Sequence, residues 1–344
     1  MKYPKNLEQG GTIGFVAPSF GCQIEPYLSG FENAKKKFME MGYQLDIGPN
    51  CYAGEGIGIS NTPEKCAAEL MSYYVSERND CLISCGGGEL MCEVLSHMDF
   101  EAIKNAKPKW YMGYSDNTNM TYLLATLCDT ASIYGPCAAA FGMEPWHEAI
   151  QDAFELLTGK RNTVRGYDKW EKESLKNEEN PLEPYHVTEK RRLKSYLGNV
   201  LVENAVFQGR LLGGCMDCLV NLLGTRFDKT KEFLEKYKED GIIWFLEACD
   251  LNVFAIRRAM WQMEEAGWFR YVKGFLVGRP LCFGQEMMGL DAYRAVLEVA
   301  GRKNVPVIMD VDLGHLPPMM PLTVGSMAVV RVRENDMEIE QQYI

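Results

Sequence analysis

Basic residues are in deficit in this 344-residue sequence, which has 36 Lys and Arg against 47 Asp and Glu and a formal net charge of −11 at pH 7. Binding to nucleic acid or to an anionic membrane depends on positive charge, so neither is expected as the main partner. Histidine is scarce, with four residues that show no short ligand spacing. Among the twelve scattered cysteines only Cys215 and Cys218 have CxxC spacing, so the sequence predicts reduced thiols and no metal site.

Long apolar runs are also missing from the sequence. The first nine residues are polar and lack the apolar segment of a secretory signal. No later stretch approaches the uninterrupted apolar length of a membrane span. The sequence therefore predicts that the protein is located in the cytoplasm, the compartment that also keeps thiols reduced.

Short apolar runs alternate with amphipathic stretches in the first half of the chain. Strands are predicted over 12–17, 43–47, 81–85 and 109–114, with helices over 27–41, 63–76 and 90–98. This rhythm predicts an α/β fold with a parallel sheet and helices on both of its faces.

The length of the chain favours two domains rather than one. The periodic pattern dissolves into charged and turn-forming residues over 161–204, which predicts a linker or surface excursion between domains at 1–160 and 205–344. Within the second domain, strands are predicted over 242–246, 272–277, 305–309 and 327–332, and helices over 252–266 and 288–300.

Polar residues follow several of these strands, at the sheet edge where open α/β folds bind ligands. Ser115 lies in a predicted strand-to-helix turn, which is the position of the serine in a nucleophile elbow. The alternative is that Ser115 is only the N-cap residue of the helix. The run Gly86-Gly87-Gly88 suits an oxyanion, a phosphate or merely a tight turn.

An acid and a histidine follow two later strands. Glu247 ends an apolar strand and needs a partner there, unless it faces solvent or caps the next helix. His315 lies in a glycine-proline loop, which also contains Asp310 and Asp312 as groups that could orient it. Together with Ser115, these residues supply the nucleophile, the base and the orienting acid of an acyl-transfer site.

The same residues belong to a set of short motifs that resembles the serine LD-carboxypeptidase family, which includes muramoyl-tetrapeptide carboxypeptidases and microcin C self-immunity peptidases. The motifs lie at 12–19, 87–88, 113–116, 134–136, 209–214, 245–247 and 314–315.

The resemblance implies a Rossmann-like N-terminal domain, a smaller α/β C-terminal domain with a cleft between them, and a homodimer. It also implies that Ser115 is the nucleophile, His315 the base and Glu247 the orienting acid, with no cofactor. The backbone N–H groups of Asp116 and of the glycine turn at Gly87 and Gly88 would form the oxyanion hole. The implied reaction cleaves an amide bond in a small peptide or peptidyl-nucleotide through an acyl-enzyme.

Two departures from the family pattern leave the substrate open. Ala248 stands where relatives often have a second acid, and Glu89 follows the two glycines where they often have Tyr. Glu89 and Trp170 are the candidate substrate-binding residues, the latter because the microcin-immunity branch uses an aromatic side chain against a nucleobase; packing on the domain surface is the alternative for Trp170. The substrate is either a cell-wall muropeptide or a microcin C-like aminoacyl-nucleotide. A non-peptidase esterase and a non-catalytic protein that binds a nucleotide or sugar phosphate are the remaining alternatives.

Overall fold

The computed structural model describes residues 1–344, and its contacts divide the chain into two units. The first apolar runs of the sequence form parallel strands in the first of these units. This first unit comprises residues 1–161 and 173–186. Its strands are β1 (Thr12–Val16), β2 (Gln44–Ile47), β3 (Cys81–Ser84), β4 (Trp110–Gly113) and β5 (Ser132–Tyr134). They are parallel and lie in the order β5-β4-β3-β1-β2. This is one of the two common orders of doubly wound sheets.

Six α-helices belong to the first unit: α1 (Tyr27–Glu40), α2 (Pro63–Val75), α3 (Met91–Val94), α4 (Phe100–Asn105), α5 (Thr118–Thr126) and α6 (Glu148–Leu157). Local chemistry sets their ends. The Thr62 side chain caps α2, which has Pro63 in its first turn, and Gly42 follows α1 at a φ of +88°. The predicted strands and the helices over 27–41 and 63–76 are confirmed. The helix predicted over 90–98 is shorter, because a 3₁₀ turn replaces its second half.

A nine-stranded mixed sheet forms the second unit, which comprises residues 162–172 and 187–344. The unit's strands are β6 (Thr163–Arg165), β7 (Lys169–Trp170), β8 (Glu189–Lys190), β9 (Lys194–Leu197), β10 (Val200–Val202), β11 (Asn204–Cys215), β12 (Ile242–Glu247), β13 (Val272–Gly278), β14 (Glu286–Met287), β15 (Leu290–Asp291), β16 (Pro306–Val311), β17 (Leu322–Val324), β18 (Met327–Arg333) and β19 (Asp336–Gln342). Nine of these strands form the mixed sheet, in the order β10-β9-β16-β13-β12-β11-β18-β19-β6, while β7 pairs with β8 and β14 pairs with β15. The four central strands, β16, β13, β12 and β11, are parallel, and antiparallel strands flank them on both sides. Both units thus contain parallel sheet, as the sequence predicts.

The helices of the second unit are α7 (Met216–Leu222), α8 (Thr230–Lys236), α9 (Val253–Glu265) and α10 (Ala292–Ala300). The helix predicted over 252–266 is confirmed. The one predicted from residue 288 begins later, because Met288 and Gly289 both have positive φ and form the two-residue turn of the β14–β15 hairpin. The Asp291 side chain then accepts a hydrogen bond from the Arg294 N–H at 2.8 Å and caps α10.

The charged segment 161–204 contains strands β6 to β10. Residues 173–186 belong to the first unit, where the Glu144 N–H donates to the Leu182 carbonyl at 2.9 Å. In the second unit β6 pairs with β19, and β9 pairs with β16. Backbone pairing therefore orders a stretch that has little apolar periodicity of its own.

The structure contains no disulfide bond. No group of three or more His, Cys, Asp or Glu side chains is arranged as a metal site. None of the helices has both the length and the apolar character that crossing a membrane requires.

Candidate active site

Ser115 lies at a strained turn directly after β4. Its φ of +62° is in the left-handed region, which costs a non-glycine residue roughly 1–3 kcal/mol. The residue starts a 3₁₀ turn that leads into α5, and its backbone N–H donates to the Tyr134 hydroxyl at 3.1 Å. The N-cap positions of the turn and the helix are Tyr114 and Asn117. Ser115 is therefore not an N-cap residue, and it lies in a strand-to-helix turn like that of a nucleophile elbow; its role as nucleophile stays a prediction.

The glycine turn after β3 approaches Ser115 closely. A Cβ atom on Gly87 would lie 3.2 Å from the Ser115 Cβ and 3.3 Å from its Oγ. A Cβ on Gly88 would lie 2.9 Å from the Gly58 carbonyl oxygen and 3.2 Å from the Phe20 nitrogen. Both positions therefore favour glycine, and the Gly87 backbone lies beside the candidate nucleophile.

Asn117 ties the glycine turn to the serine turn. The Asn117 side chain is fully buried, and its amide donates to the Gly86 carbonyl at 2.8 Å and to the Tyr114 carbonyl at 3.1 Å. The Tyr111 hydroxyl donates to its Oδ1. A Cβ on Gly113 would lie 2.8 Å from the Asn117 Cγ, so glycine at the end of β4 makes room for this side chain. The sequence patterns did not indicate Asn117, although it lies only two residues after Ser115.

The Asp116 carboxylate has a structural role. It is 2% exposed and accepts hydrogen bonds from the Ser19 hydroxyl at 2.7 Å, the Met91 N–H at 2.9 Å and the Asn119 amide at 3.0 Å. Burial raises the pKa of Asp116, and these hydrogen bonds oppose the rise. The carboxylate joins the end of β1 to the start of α3. A role of the Asp116 backbone N–H in an oxyanion hole stays a prediction.

Glu247 and His315, 68 positions apart in the sequence, meet in the second unit. Glu247 ends β12 and is fully buried, and its Oε2 lies 2.8 Å from the His315 Nδ1. The His315 side chain is 14% exposed. Glu247 therefore has the partner that its burial requires, and neither of the acids in the histidine's own loop takes that place.

Two glycines make room for Glu247. Gly314 has a φ of +100°, and a Cβ there would lie 2.8 Å from both the Glu247 Cβ and its Oε2. A Cβ on Gly278, at the end of β13, would lie 3.2 Å from the Glu247 Cβ. Glycine at position 314 lets the loop pass close enough to the carboxylate for the next residue, His315, to bond it.

The electrostatics of the pair favour a charged imidazole. Burial by itself would lower the pKa of His315, but the Glu247 carboxylate and a hydrogen bond with the Cys249 side chain outweigh burial and raise it above its usual range. The Asp217 carboxylate accepts the Cys249 N–H at 3.0 Å and so positions that residue. Sequence reasoning missed Cys249, whose only signal is its place two residues after Glu247.

A buried ion pair fixes the loop before His315. Arg279 is 1% exposed and donates to the Asp312 carboxylate at 2.6 Å and to the Asp310 carbonyl at 2.8 Å. The other carboxylate oxygen of Asp312 accepts the Tyr167 N–H at 2.8 Å. Burial raises the pKa of Asp312, and the Arg279 guanidinium opposes the rise. Asp312 thus orients the loop through Arg279 rather than bonding the imidazole.

The two candidate substrate-binding residues differ in exposure. Glu89 is exposed, and its backbone N–H donates to the Gly58 carbonyl at 2.9 Å. Trp170, which the sequence places in an exposed charged loop, is only 5% exposed. Its ring meets Phe283 edge-on at 5.1 Å and lies 5.0 Å from the Arg279 guanidinium. Trp170 therefore packs within the second unit.

Comparisons with known proteins agree along the chain. The family model for the LD-carboxypeptidase N-terminal domain matches residues 13–135, and that for the C-terminal domain matches residues 208–330. The microcin C7 self-immunity protein MccF of Escherichia coli is 25% identical over 348 aligned residues, which cover 98% of this chain and 95% of that protein. A Bacillus subtilis relative named as a probable murein peptide carboxypeptidase is 24% identical and covers 98% and 94%.

A solved structure shares the fold. MccF in complex with glutamyl sulfamoyl guanosine aligns with a TM-score of 0.81 at 22% identity, over 99% of both chains. The mixed α/β architecture and the two matched domains agree with the units described above. This chain is therefore a member of the LD-carboxypeptidase family.

Proposed function

We propose that this protein is a serine peptidase that hydrolyses an amide bond in a small peptide-like substrate, with Ser115, His315 and Glu247 as the catalytic residues. The hydrogen bond of 2.8 Å between Glu247 and the His315 Nδ1 carries the proposal. A carboxylate on Nδ1 leaves Nε2 as the proton acceptor, which is the arrangement that a serine nucleophile needs. The strained turn at Ser115, with Gly87 against its side chain, supports the same assignment.

The proposed reaction proceeds in two steps. His315 takes the proton of the Ser115 hydroxyl, the serine oxygen attacks the amide carbonyl, and Glu247 stabilises the imidazolium that forms. Backbone N–H groups of Asp116 and of the Gly87 and Gly88 turn hold the carbonyl oxygen while it is negative. His315 then gives the proton to the leaving amine, and water attacks the acyl-enzyme by the reverse sequence of proton transfers.

The substrate class is drawn from the relatives. MccF has been solved with glutamyl sulfamoyl guanosine and with aspartyl sulfamoyl adenosine, and the Bacillus subtilis relative is named for murein peptide. We therefore propose an aminoacyl-nucleotide or a muropeptide as the substrate. The exposed side chain of Glu89, two residues after Gly87, supports a substrate contact there. The burial of Trp170 leaves little of its ring for stacking on a nucleobase.

Labelling with a fluorophosphonate tests the nucleophile. We expect mass spectrometry to find the label on Ser115, because only an activated hydroxyl reacts, and we expect Ser115→Ala to lose the label. Ser72→Ala is the matched control, since the Ser72 hydroxyl merely bonds the Glu69 carbonyl within α2 at 2.9 Å. A protein that binds nucleotides but resists the probe would favour the non-catalytic alternative.

Hydrolysis assays test the reaction itself. We expect Ser115→Ala to lower turnover of an aminoacyl sulfamoyl nucleotide or of a murein tetrapeptide by several orders of magnitude while its circular dichroism spectrum is unchanged. Product masses then show which of the two substrates is cleaved. Full hydrolysis by Ser115→Ala contradicts the proposal.

A homodimeric state and a cytoplasmic location are part of the proposal. Light scattering coupled to size-exclusion chromatography tests the first: a mass of twice that of one chain is expected, and a single-chain mass at micromolar concentration contradicts it. Cell fractionation with an antibody against the chain tests the second.

A further inference from the structure

A small cavity lies inside the second unit, beside the carboxyl ends of its central parallel strands. Its volume is about 200 Å³, the space of about six or seven water molecules. Its walls are largely apolar, with side chains of Met216, Ile256, Val277, Phe283, Val296 and Met309. The size suits one amino-acid side chain and is below that of usual cofactor pockets, which begin at roughly 300 Å³.

The cavity is next to the Glu247–His315 pair. Ala248, which follows Glu247, and Gly278, whose added Cβ would lie 3.2 Å from the Glu247 Cβ, both line it. A group bound there would lie close to the Glu247–His315 pair.

The charged groups in the cavity lining are all acidic. Asp310, Glu286 and Asp291 line it, and no lysine, arginine or histidine does. Asp291 is engaged in capping α10, and Glu286 is exposed. The remaining acid, Asp310, is 7% exposed and is held at a φ of +61°, a strained value for a non-glycine residue.

Only half of the Asp310 carboxylate is bonded. The Tyr293 hydroxyl donates to Oδ2, and Oδ1 accepts no hydrogen bond from the protein. The two nearby cations point elsewhere, because Arg279 donates to the Asp310 carbonyl and to Asp312, and the Lys194 Nζ lies 3.8 Å above the Tyr293 ring. Burial raises the pKa of Asp310, and the Tyr293 hydrogen bond opposes the rise. Asp310 therefore keeps one carboxylate oxygen, Oδ1, that can accept a hydrogen bond from a ligand in the cavity.

We propose that this cavity binds a primary ammonium group at the end of a short aliphatic chain, with the Asp310 Oδ1 as its acceptor. The apolar walls cover the methylene groups, and the acidic lining excludes a carboxylate at the same place. The inference rests on the proposed function only in assigning that ammonium group to the substrate.

Kinetics with paired substrates test the assignment. Two amide substrates are compared that are identical except that one contains lysine where the other contains norleucine. Both side chains have the same number of carbon atoms, and only that of lysine ends in an ammonium group. We expect Asp310→Asn to raise KM for the lysine substrate by about ten-fold or more, as the loss of a charge-assisted hydrogen bond requires, and to leave the norleucine substrate within about two-fold. Glu239→Gln is the matched control, because it removes one exposed charge of the same unit that lies outside the cavity lining and keeps Asp310.

Direct binding separates this inference from the proposed function. We expect n-butylammonium to bind the intact Ser115→Ala protein in calorimetry, and Ala292→Leu, which fills part of the cavity, to abolish binding. Thermal unfolding of each variant shows that it is folded. Equal kcat/KM for the lysine and norleucine substrates, together with no heat from n-butylammonium, overturns the cavity assignment. Binding of n-butylammonium by a protein that hydrolyses neither substrate supports the cavity and contradicts the proposed function.

Discussion

Replacing Glu247 by Gln tests the electrostatic link between the buried carboxylate and His315. In the native protein the raised pKa of His315 keeps the imidazole charged up to a pH above its ordinary value of about 6.5. Because the base must be neutral to accept a proton, the acidic limb of the kcat/KM profile should lie above pH 6.5 in the native enzyme. The substitution removes the negative charge and should move that limb to lower pH.

The structure sets the size of the effect. Two unit charges about 4 Å apart attract each other by about 4 kcal/mol at an effective dielectric constant of about 20, and the Glu247 Oε2 and the His315 Nδ1 lie 2.8 Å apart. At 1.36 kcal/mol per unit this corresponds to a difference of about three pKa units between the two proteins, and burial of the imidazole, which both share, does not reduce it. We therefore expect the pKa of His315 to fall by at least about one unit. The amide can also present its NH₂ group to Nδ1 and select the wrong tautomer, so kcat should fall by about two to four orders of magnitude.

Two assays measure these quantities independently. The pH dependence of kcat/KM gives the pKa of the base in the free enzyme, and an NMR titration of the His315 ring proton gives it without turnover. Glu239→Gln, which removes an exposed carboxylate of the same unit outside the cavity lining, is the matched control and should leave both values unchanged. An acidic limb at the same pH in native and Glu247→Gln proteins would refute the electrostatic account.

The other predictions concern neighbouring residues. Cys249→Ala removes a hydrogen bond that raises the pKa of His315, so the acidic limb should shift to lower pH by less than in Glu247→Gln, and a shift to higher pH would contradict this. Gly314→Ala places a Cβ against the buried carboxylate at a φ of +100°. The backbone strain alone should lower the free energy of unfolding by roughly 1–3 kcal/mol. Calorimetry should therefore find a lower melting temperature, and initial rates should give a lower kcat. Gly87→Ala crowds the nucleophile, and kcat/KM should fall about ten-fold or more while calorimetry shows little change in melting temperature. Arg279→Met removes the closer of two cations beside the buried Asp312 carboxylate and leaves the Arg191 Nη1 at 3.7 Å from Oδ2, so the free energy of unfolding should fall by about 3 kcal/mol in urea titrations; a loss below about 1 kcal/mol would show that the ion pair contributes little.

Local patterns in the sequence predicted most of the regular structure of the first unit. Strands such as β3 and β4 are buried along their whole length, so they read as continuous apolar runs bounded by turn residues. The segment 161–204 shows where this approach ends. Its short strands, such as β6 and β9, form edges or pair with distant strands, and their order comes from those partners rather than from apolar periodicity.

The same division applies to the second unit. The start of α10 depends on the left-handed turn at Met288 and Gly289, which the apolar spacing of the surrounding residues conceals. Trp170 stands among charged residues in the sequence, and only its contacts with Phe283 and Arg279 show that it is buried. Hydrophobic periodicity indicates which face of a single helix or strand is apolar, whereas the burial of a residue depends on the side chains of other elements that pack against it.

By itself the sequence determined the α/β class and the places where functional side chains can stand, because strand exits are marked by local apolar runs and glycines. It also identified Ser115, Glu247 and His315 as candidates. Only the tertiary structure decided that Glu247, rather than Asp310 or Asp312, bonds the imidazole, that Arg279 neutralises Asp312, and that one oxygen of Asp310 faces a cavity unbonded. These choices depend on distances between residues far apart in the chain, which are set by the packing of parallel strands.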